Sequence, residues 1–551
     1  MAQIINPILP GFNPDPCICK KGEDYYVATS TFEWFPGVQI HHSTDLVNWS
    51  LITRPLDRIQ QLDMRGMFPS GGIWAPALTW HDGLFWLMYT VVQSFRGPVF
   101  DTPNFLVTAE NIDGPWSDPI YINSSGFDPS IFHDDDGRSY ILNMQMGEIG
   151  QAHWFDGIVI QEYDKQKQSL VGKPTELWQD IGVEATEGPH ILKRNGWYYL
   201  ITAEGGTGVG HRMSVARSRQ VLGPYEPHPD NPILTSFNQA GAELSSCGHG
   251  NLVEGPKGYE DHWVMVHLCH TAIPKPGEKP VDQTDSVAHV ETHVAVLGRQ
   301  TGLQLVEWCE DEWPRKIGGR SPSKIVEVPW PAAPQLKEAW DCHDNFDAET
   351  WDPHFQTLRE PADESWIQLN PKNSTLRLRG RNTLFSCYEQ SLLARRLQHV
   401  NEVEINCCLS FQPETHHHAA GLIIYCDHQN FKYLRLTAAG DGKVKIGVVD
   451  CKGSEPSHSV TIVDSPTMNQ PEKIWLRASI KLQQLSFSWS TVGDDENSWV
   501  TIPETYLMTD LGNWAKGIIS EFTGTFCGMA CQDSLGRKNW AEFHYFSYRG
   551  R

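Results

Sequence analysis

A chain of 551 residues exceeds what one hydrophobic core usually supports, so two or more domains are expected. Its formal charge of -23 argues against nucleic acid or anionic membrane as partner, since binding either requires basic patches. No apolar run approaches the about 18 residues of a membrane-spanning helix, and MAQIINPILPGF lacks the pattern of a secretory signal, so a cytoplasmic location is expected.

With Trp 21, Tyr 16, Phe 22, Gly 46 and Pro 36, the composition favours strands and turns over helical bundles. The 13 cysteines show no disulfide framework, and Cys17 with Cys19, like Cys407 with Cys408, stand too close for an ordinary bridge. Buried thiols in a reducing compartment are expected.

The first landmark is GFNPDPCICK, where Pro14 and Pro16 flank Asp15. Proline fixes its own φ and pushes the residue before it toward an extended shape, so Asp15 is expected to be stiffly held. The theme then recurs: IWAPAL at Trp74, FDPS at Asp128, TEGPH at Glu187 and CGHGNL at His249. Each cluster precedes a glycine-containing turn or an aromatic strand, such as GEDYYVATS, DGLFWLMYT or NGWYYLITA. A repeat of about 60 residues fits four strands with their loops, and five such units read as a five-bladed β-propeller over residues 1–325. If each cluster opens the innermost strand of its blade, all five converge on one depression.

Pro329, Pro331 and Pro334 mark a stiff linker over 326–336. Beyond it, STLRLRG, VNEVEINCCLSF, AAGLIIYCD and KIWLRASIKLQQLSFSWS alternate without the repeat, so 337–551 is predicted to be a β-sandwich. The fold class is therefore all-β, a propeller followed by a sandwich.

Three of the five centre-facing clusters carry an acid: Asp15, Asp128 and Glu187. Two placed carboxylates suffice for glycoside hydrolysis, one protonating the departing oxygen and one activating water or attacking carbon. A third can orient its neighbours and keep the acid protonated. Other motif-like stretches get plainer readings: HDDDG at 133–137 as a hairpin turn, His416 to His418 as a solvated turn, and AEGGTGVGH as a loop without the lysine of a phosphate site.

NPILPGFNPDPCICKKGEDYYVATSTFEWFPGVQIHHSTDLVNW, SGGIWAPAL, SSGFDPSIFHDDDGRSY, TEGPHILKRNGWYYLITAEGGT and LGRQTGLQLVEW resemble the β-xylosidases of glycoside hydrolase family 43. The resemblance continues through HFQTLR and FTGTFCGMACQDSLGRKNWAEFHYFSY, so it spans nearly the whole chain. It implies an inverting exo-hydrolase acting on non-reducing-end β-1,4-xylose of short xylo-oligosaccharides, with α-L-arabinofuranosidase side activity or, as the alternative, a primary arabinofuranosidase or exo-arabinanase. It assigns Asp15 as general base, Glu187 as general acid, and Asp128 as the residue that orients Glu187 and raises its pKa. Arg299, which has no carboxylate partner evident in its immediate sequence, resembles an arginine that grips sugar hydroxyls.

Phe32, Trp74, Phe127 and Thr207 resemble the surround of the innermost sugar, and Phe526 one that reaches from the sandwich to close the pocket. His249 falls where some members bind a divalent ion, often calcium, although no cofactor is required. Relatives also form dimers or tetramers. Departures at Ala77, in MQMGEIGQAHWFDG and in THVAVLGRQ bear on substrate preference more than on reaction type. The motifs of fructan and sucrose hydrolases are missing from the corresponding places, and the three acids argue against a non-catalytic sugar-binding propeller.

Overall fold

The structure is a computed structural model describing residues 2–95, 100–148, 155–178, 185–239, 242–278, 293–336, 340–454, 457–493, 495–515 and 522–550. Five antiparallel sheets follow one another along the first part of the chain. From the inside out, the first blade runs Cys17–Lys21, Asp24–Thr29, Gln39–Ser43 and Ser50–Thr53, and the second Gly72–His81, Leu84–Val92, Asn104–Ala109 and Ile120–Asn123. The third comprises Ser130–His133, Ser139–Met146, Phe155–Asp164 and Ser169–Trp178. The fourth starts with Glu187–Arg194, Trp197–Glu204 and Arg212–Ser218; the fifth centres on Trp263–His270 and Gln300–Trp308, with Ser245–Gly248 and Leu252–Glu254 on its inner side. Inner strands of the first three blades touch in turn, the third meets the fourth and the fifth meets the first in the same way, and Arg212–Ser218 of the fourth blade meets Ser245–Gly248 of the fifth, which closes the ring. The HDDDG stretch forms the expected hairpin turn, with the Asp134 N–H bonded to the Arg138 carbonyl.

The ends of the propeller are laced together. Ala2–Ile5 pairs antiparallel with Ile325–Val328, and the Asn6 side-chain amide donates to the carbonyls of Leu303 and Ser323. The proline-rich stretch then lies along the first blade, where the Trp330 indole donates to the Asp45 carbonyl and the Asn48 amide to that of Ala333. Residues 337–339 of the expected sandwich lie outside the described residues.

The second unit packs two antiparallel sheets face to face. One includes Val403–Ser410, Ile474–Lys481 and Trp540–Gly550; the other includes Ser391–Arg396, His418–Asp427, Asn430–Gly440 and Phe526–Asp533. Burial alternates residue by residue along Ile474–Lys481, as one face turns to the core and the other outward. Ile405, Leu476 and Phe543 from one sheet meet Leu422, Leu434 and Met529 from the other in one apolar cluster. Of the expected solvated histidines, His416 and His417 are exposed, but His418 is buried, with Nε2 3.3 Å from Asp533 Oδ1.

The two units share a tight seam. Trp34–Phe35 of the propeller pairs with Thr357–Leu358, and Trp34 stacks on Phe526 with centroids 3.7 Å apart. At Gly298, where φ is +71°, a Cβ would sit 2.6 Å from the Thr523 carbonyl oxygen, so only glycine lets the backbones approach this closely. That residue places the adjacent Arg299 directly beside the seam.

Candidate active site

At the same phase of each inner strand stands a residue in the left-handed region: Asp15 at φ 54°, Ala75 at 28°, Asp128 at 55°, Gly188 at 57° and His249 at 48°. All but His249 precede a proline. The expected extended shape for Asp15 is therefore wrong. Aspartate tolerates the left-handed region better than most residues, and the bond from Ser30 N–H to the Pro14 carbonyl pins the turn. Strained backbone of this kind, over-determined by its surroundings, concentrates at functional sites.

These turns bring Asp15, Asp128, Glu187 and His249 into one pocket together with Arg299. All five are at most 7 % exposed. Asp15 accepts bonds at both oxygens, from Ser30 Oγ at 2.7 Å and Arg299 Nη1 at 2.7 Å. The sequence offered no partner for Arg299; the structure supplies Asp15, from the opposite end of the propeller. Arg299 Nε and Nη2 have no hydrogen-bond partner among the described residues.

Asp128 Oδ2 accepts from the Gly188 N–H at 3.0 Å, and Ser130 Oγ donates to the Pro189 carbonyl at 2.5 Å. The third blade thus holds the turn that carries Glu187 at two points. His249 Nδ1 lies 3.9 Å from Asp128 Oδ2, and its ring packs against Gly188, where a Cβ would meet it at 3.0 Å.

Three buried carboxyls around one guanidinium cannot all be charged at little cost. Glu187 is pushed up to about 8, first by burial and then by the charge of Asp15, with Arg299 opposing. Asp128 is also raised well above the usual carboxylate range, by burial and then by Glu187 and Asp15. Burial pushes His249 down, favouring the neutral ring. Among the described residues no group of three or more His, Cys, Asp or Glu side chains is arranged to hold a metal ion.

The walls are aromatic. Phe32, Trp74 and Phe127 line the cavity as expected and are buried, while Phe95, Phe100, Phe155 and Phe522 line it and are half-buried, which places them at the rim. Gly206 and Thr207 complete the lining, and the cavity measures about 220 Å³. That is below the roughly 300–1,000 Å³ of sites for drug-sized ligands.

Phe526 does not close the pocket as expected. It is fully buried against Trp34 in the seam and does not line the cavity; Phe522, four residues earlier in the same segment, does. The rim residues Phe95, Phe100 and Phe155 were missed because they stand at the ends of blade strands and in loops, outside the repeated clusters. Of MQMGEIGQAHWFDG, residues 149–154 lie outside the described residues.

Residues 4–314 match the family model of glycosyl hydrolases family 43, and residues 343–549 that of the β-xylosidase C-terminal concanavalin A-like domain. The chain is 43% identical over 556 residues to a xylan 1,3-β-xylosidase of Vibrio sp, covering 99% of each. It is 42% identical over 553 residues to xylosidase/arabinosidase 43B of Humicola insolens, covering 100% of this chain and 98% of that protein. The crystal structure of a xylan β-1,4-xylosidase from Bacillus halodurans C-125 superposes with a TM-score of 0.90 at 42% identity, covering 99% of this chain and all of that one.

Proposed function

The chain belongs to glycosyl hydrolase family 43, and from that premise we propose that it is an exo-acting β-xylosidase removing β-1,4-linked D-xylose from the non-reducing end of xylo-oligosaccharides with inversion. The observation that carries this reading is the buried set of three carboxyls and one guanidinium in a cavity of about 220 Å³ walled by aromatics from both domains. A small pocket closed on one side takes a chain end, whereas an open groove would suit internal cleavage.

Glu187 is the general acid. Its raised pKa of about 8 keeps it protonated at neutral pH, ready to protonate the leaving oxygen. Asp15 is the general base: fixed by Ser30 and Arg299, it holds a water on the opposite face of the sugar and takes its proton as the water attacks the anomeric carbon. Asp128 acts through the Gly188 N–H, setting the turn from which Glu187 projects. Burial and the charge of Asp15 raise the pKa of Glu187, whereas the charge interaction between Glu187 and Asp128 raises that of Asp128, so the expected part of Asp128 in raising the acid is not among the causes. Nε and Nη2 of Arg299, without a hydrogen-bond partner among the described residues, are donors for sugar hydroxyls, and Phe32, Trp74 and Phe127 offer flat faces to the ring.

A divalent cation near His249 would find one imidazole nitrogen and one carboxylate that is already bonded to Gly188, far short of the six to eight oxygens of a calcium shell. No step is assigned to it. The domain division proposed at 325 and 337 is supported by the docking of Trp330 and Ala333 on the first blade. A dimeric or tetrameric assembly follows from the family likeness, and a cytoplasmic location is proposed beside it; sedimentation and cell fractionation test them.

Initial rates on 4-nitrophenyl β-D-xyloside and α-L-arabinofuranoside test the assignment. The xyloside is expected to be the better substrate, with a slower arabinoside reaction; an arabinoside rate well above the xyloside rate would overturn it. Comparison of β-1,4- with β-1,3-xylobiose tests the linkage.

A further inference from the structure

Resting on that xylosidase reading, we propose that Ser70 is a positioning residue that joins Phe522 of the sandwich to Trp74 of the propeller and so fixes the pocket wall. It opens the SGG stretch before the second blade, is fully buried and has φ 66°. Each of its three polar groups is engaged with a different element. Its N–H donates to Glu33 Oε2 at 3.1 Å, its carbonyl accepts from Trp74 Nε1 at 2.8 Å, and its Oγ accepts from the Phe522 N–H at 3.1 Å.

The two rings held in this way face each other edge to face, 5.3 Å between centroids, and both line the cavity. The backbone cannot move aside to take over this task. A Cβ at residue 71 would lie 3.0 Å from the Val92 carbonyl oxygen, and one at 72 would lie 2.3 Å from that of Phe32. From the sandwich side, Arg359 donates Nε to the Met67 carbonyl and its own N–H to the Glu33 carbonyl, so the second domain also grips the loop carrying Ser70. Ser70 touches no reacting atom; it acts through Trp74 and Phe522.

Removing the hydroxyl leaves the Phe522 N–H without its acceptor and lets that ring drift, while the carbonyl bond to Trp74 stays. The wall meets the sugar in ground and transition states alike, so the loss should fall on KM. Ser70→Ala should lower kcat/KM on xylobiose roughly tenfold, as expected for one stranded buried donor, with kcat nearly unchanged. Ser70→Gly, which accepts the left-handed backbone without strain, should reproduce the loss and shows that it comes from the hydroxyl.

The decisive test is a cycle with Phe522→Ala. If Ser70 acts through Phe522, Ser70→Ala costs little further in that background; an equal factor in both backgrounds, or a loss confined to kcat, overturns the inference. Wild-type turnover is measured first, and its absence would sink the xylosidase reading, whereas additive losses in an active enzyme sink only the role of Ser70.

Discussion

Glu187→Gln keeps the size of the side chain and removes its transferable proton. General acid catalysis is worth roughly 10²–10⁴ in rate, so xylobiose, whose leaving group needs that proton, should lose about this factor. A 2,4-dinitrophenyl xyloside, whose leaving group departs as an anion, should lose far less. The pH profile gives a second readout. With Glu187 at about 8, wild-type kcat/KM should hold to about pH 8 and then fall about tenfold per unit, and this limb should vanish in the variant.

Stability must follow the same proton. Because folding raises the group from its ordinary 4.5 to about 8, the folded state keeps a proton that the unfolded chain loses in that window. The contribution is fully present below 4.5, declines as pH rises through that window, and is lost above about 8. Denaturant titrations at pH 5 and pH 9 should show the wild type losing more stability than Glu187→Gln. An unchanged alkaline limb in the variant, or equal losses on both leaving groups, would refute the assignment of the acid.

Arg299→Ala should destabilise the fold by about 3–5 kcal/mol, the cost of leaving a buried ion-pair partner alone, and abolish most turnover; urea melts and xyloside assays read both. Asp128→Ala strands the Gly188 N–H and frees the turn of Glu187, so kcat should fall about a hundredfold while the affinity for D-xylose, measured calorimetrically, changes less. Phe522→Ala should raise KM with little change in melting temperature. Phe526→Ala should do the reverse, costing about 3–5 kcal/mol at the seam with Trp34.

The propeller was legible because its clusters recur at one phase of a repeat, and residues at one phase of five blades meet at the axis. The same logic places Asp15, Asp128 and Glu187 together from the sequence alone. Contacts made across the repeat followed no such rule. Arg299 finds Asp15 at a separation of 284 residues, which no local pattern encodes. In EFTGTFCGM the sequence offers two phenylalanines four apart; Phe526 begins a sheet strand and is drawn into the seam, while Phe522 stands in the irregular approach and reaches the pocket. At Asp15 the extended preference of a residue before proline lost to a turn pinned by Ser30, the local rule yielding to tertiary bonds.

The central claim, an inverting exo-xylosidase built on Asp15 and Glu187, is tested most directly by proton NMR of the first product released from β-1,4-xylobiose. α-D-Xylose from the non-reducing residue is expected before mutarotation sets in. Early β-D-xylose from that residue, or no release of xylose at all, would contradict it.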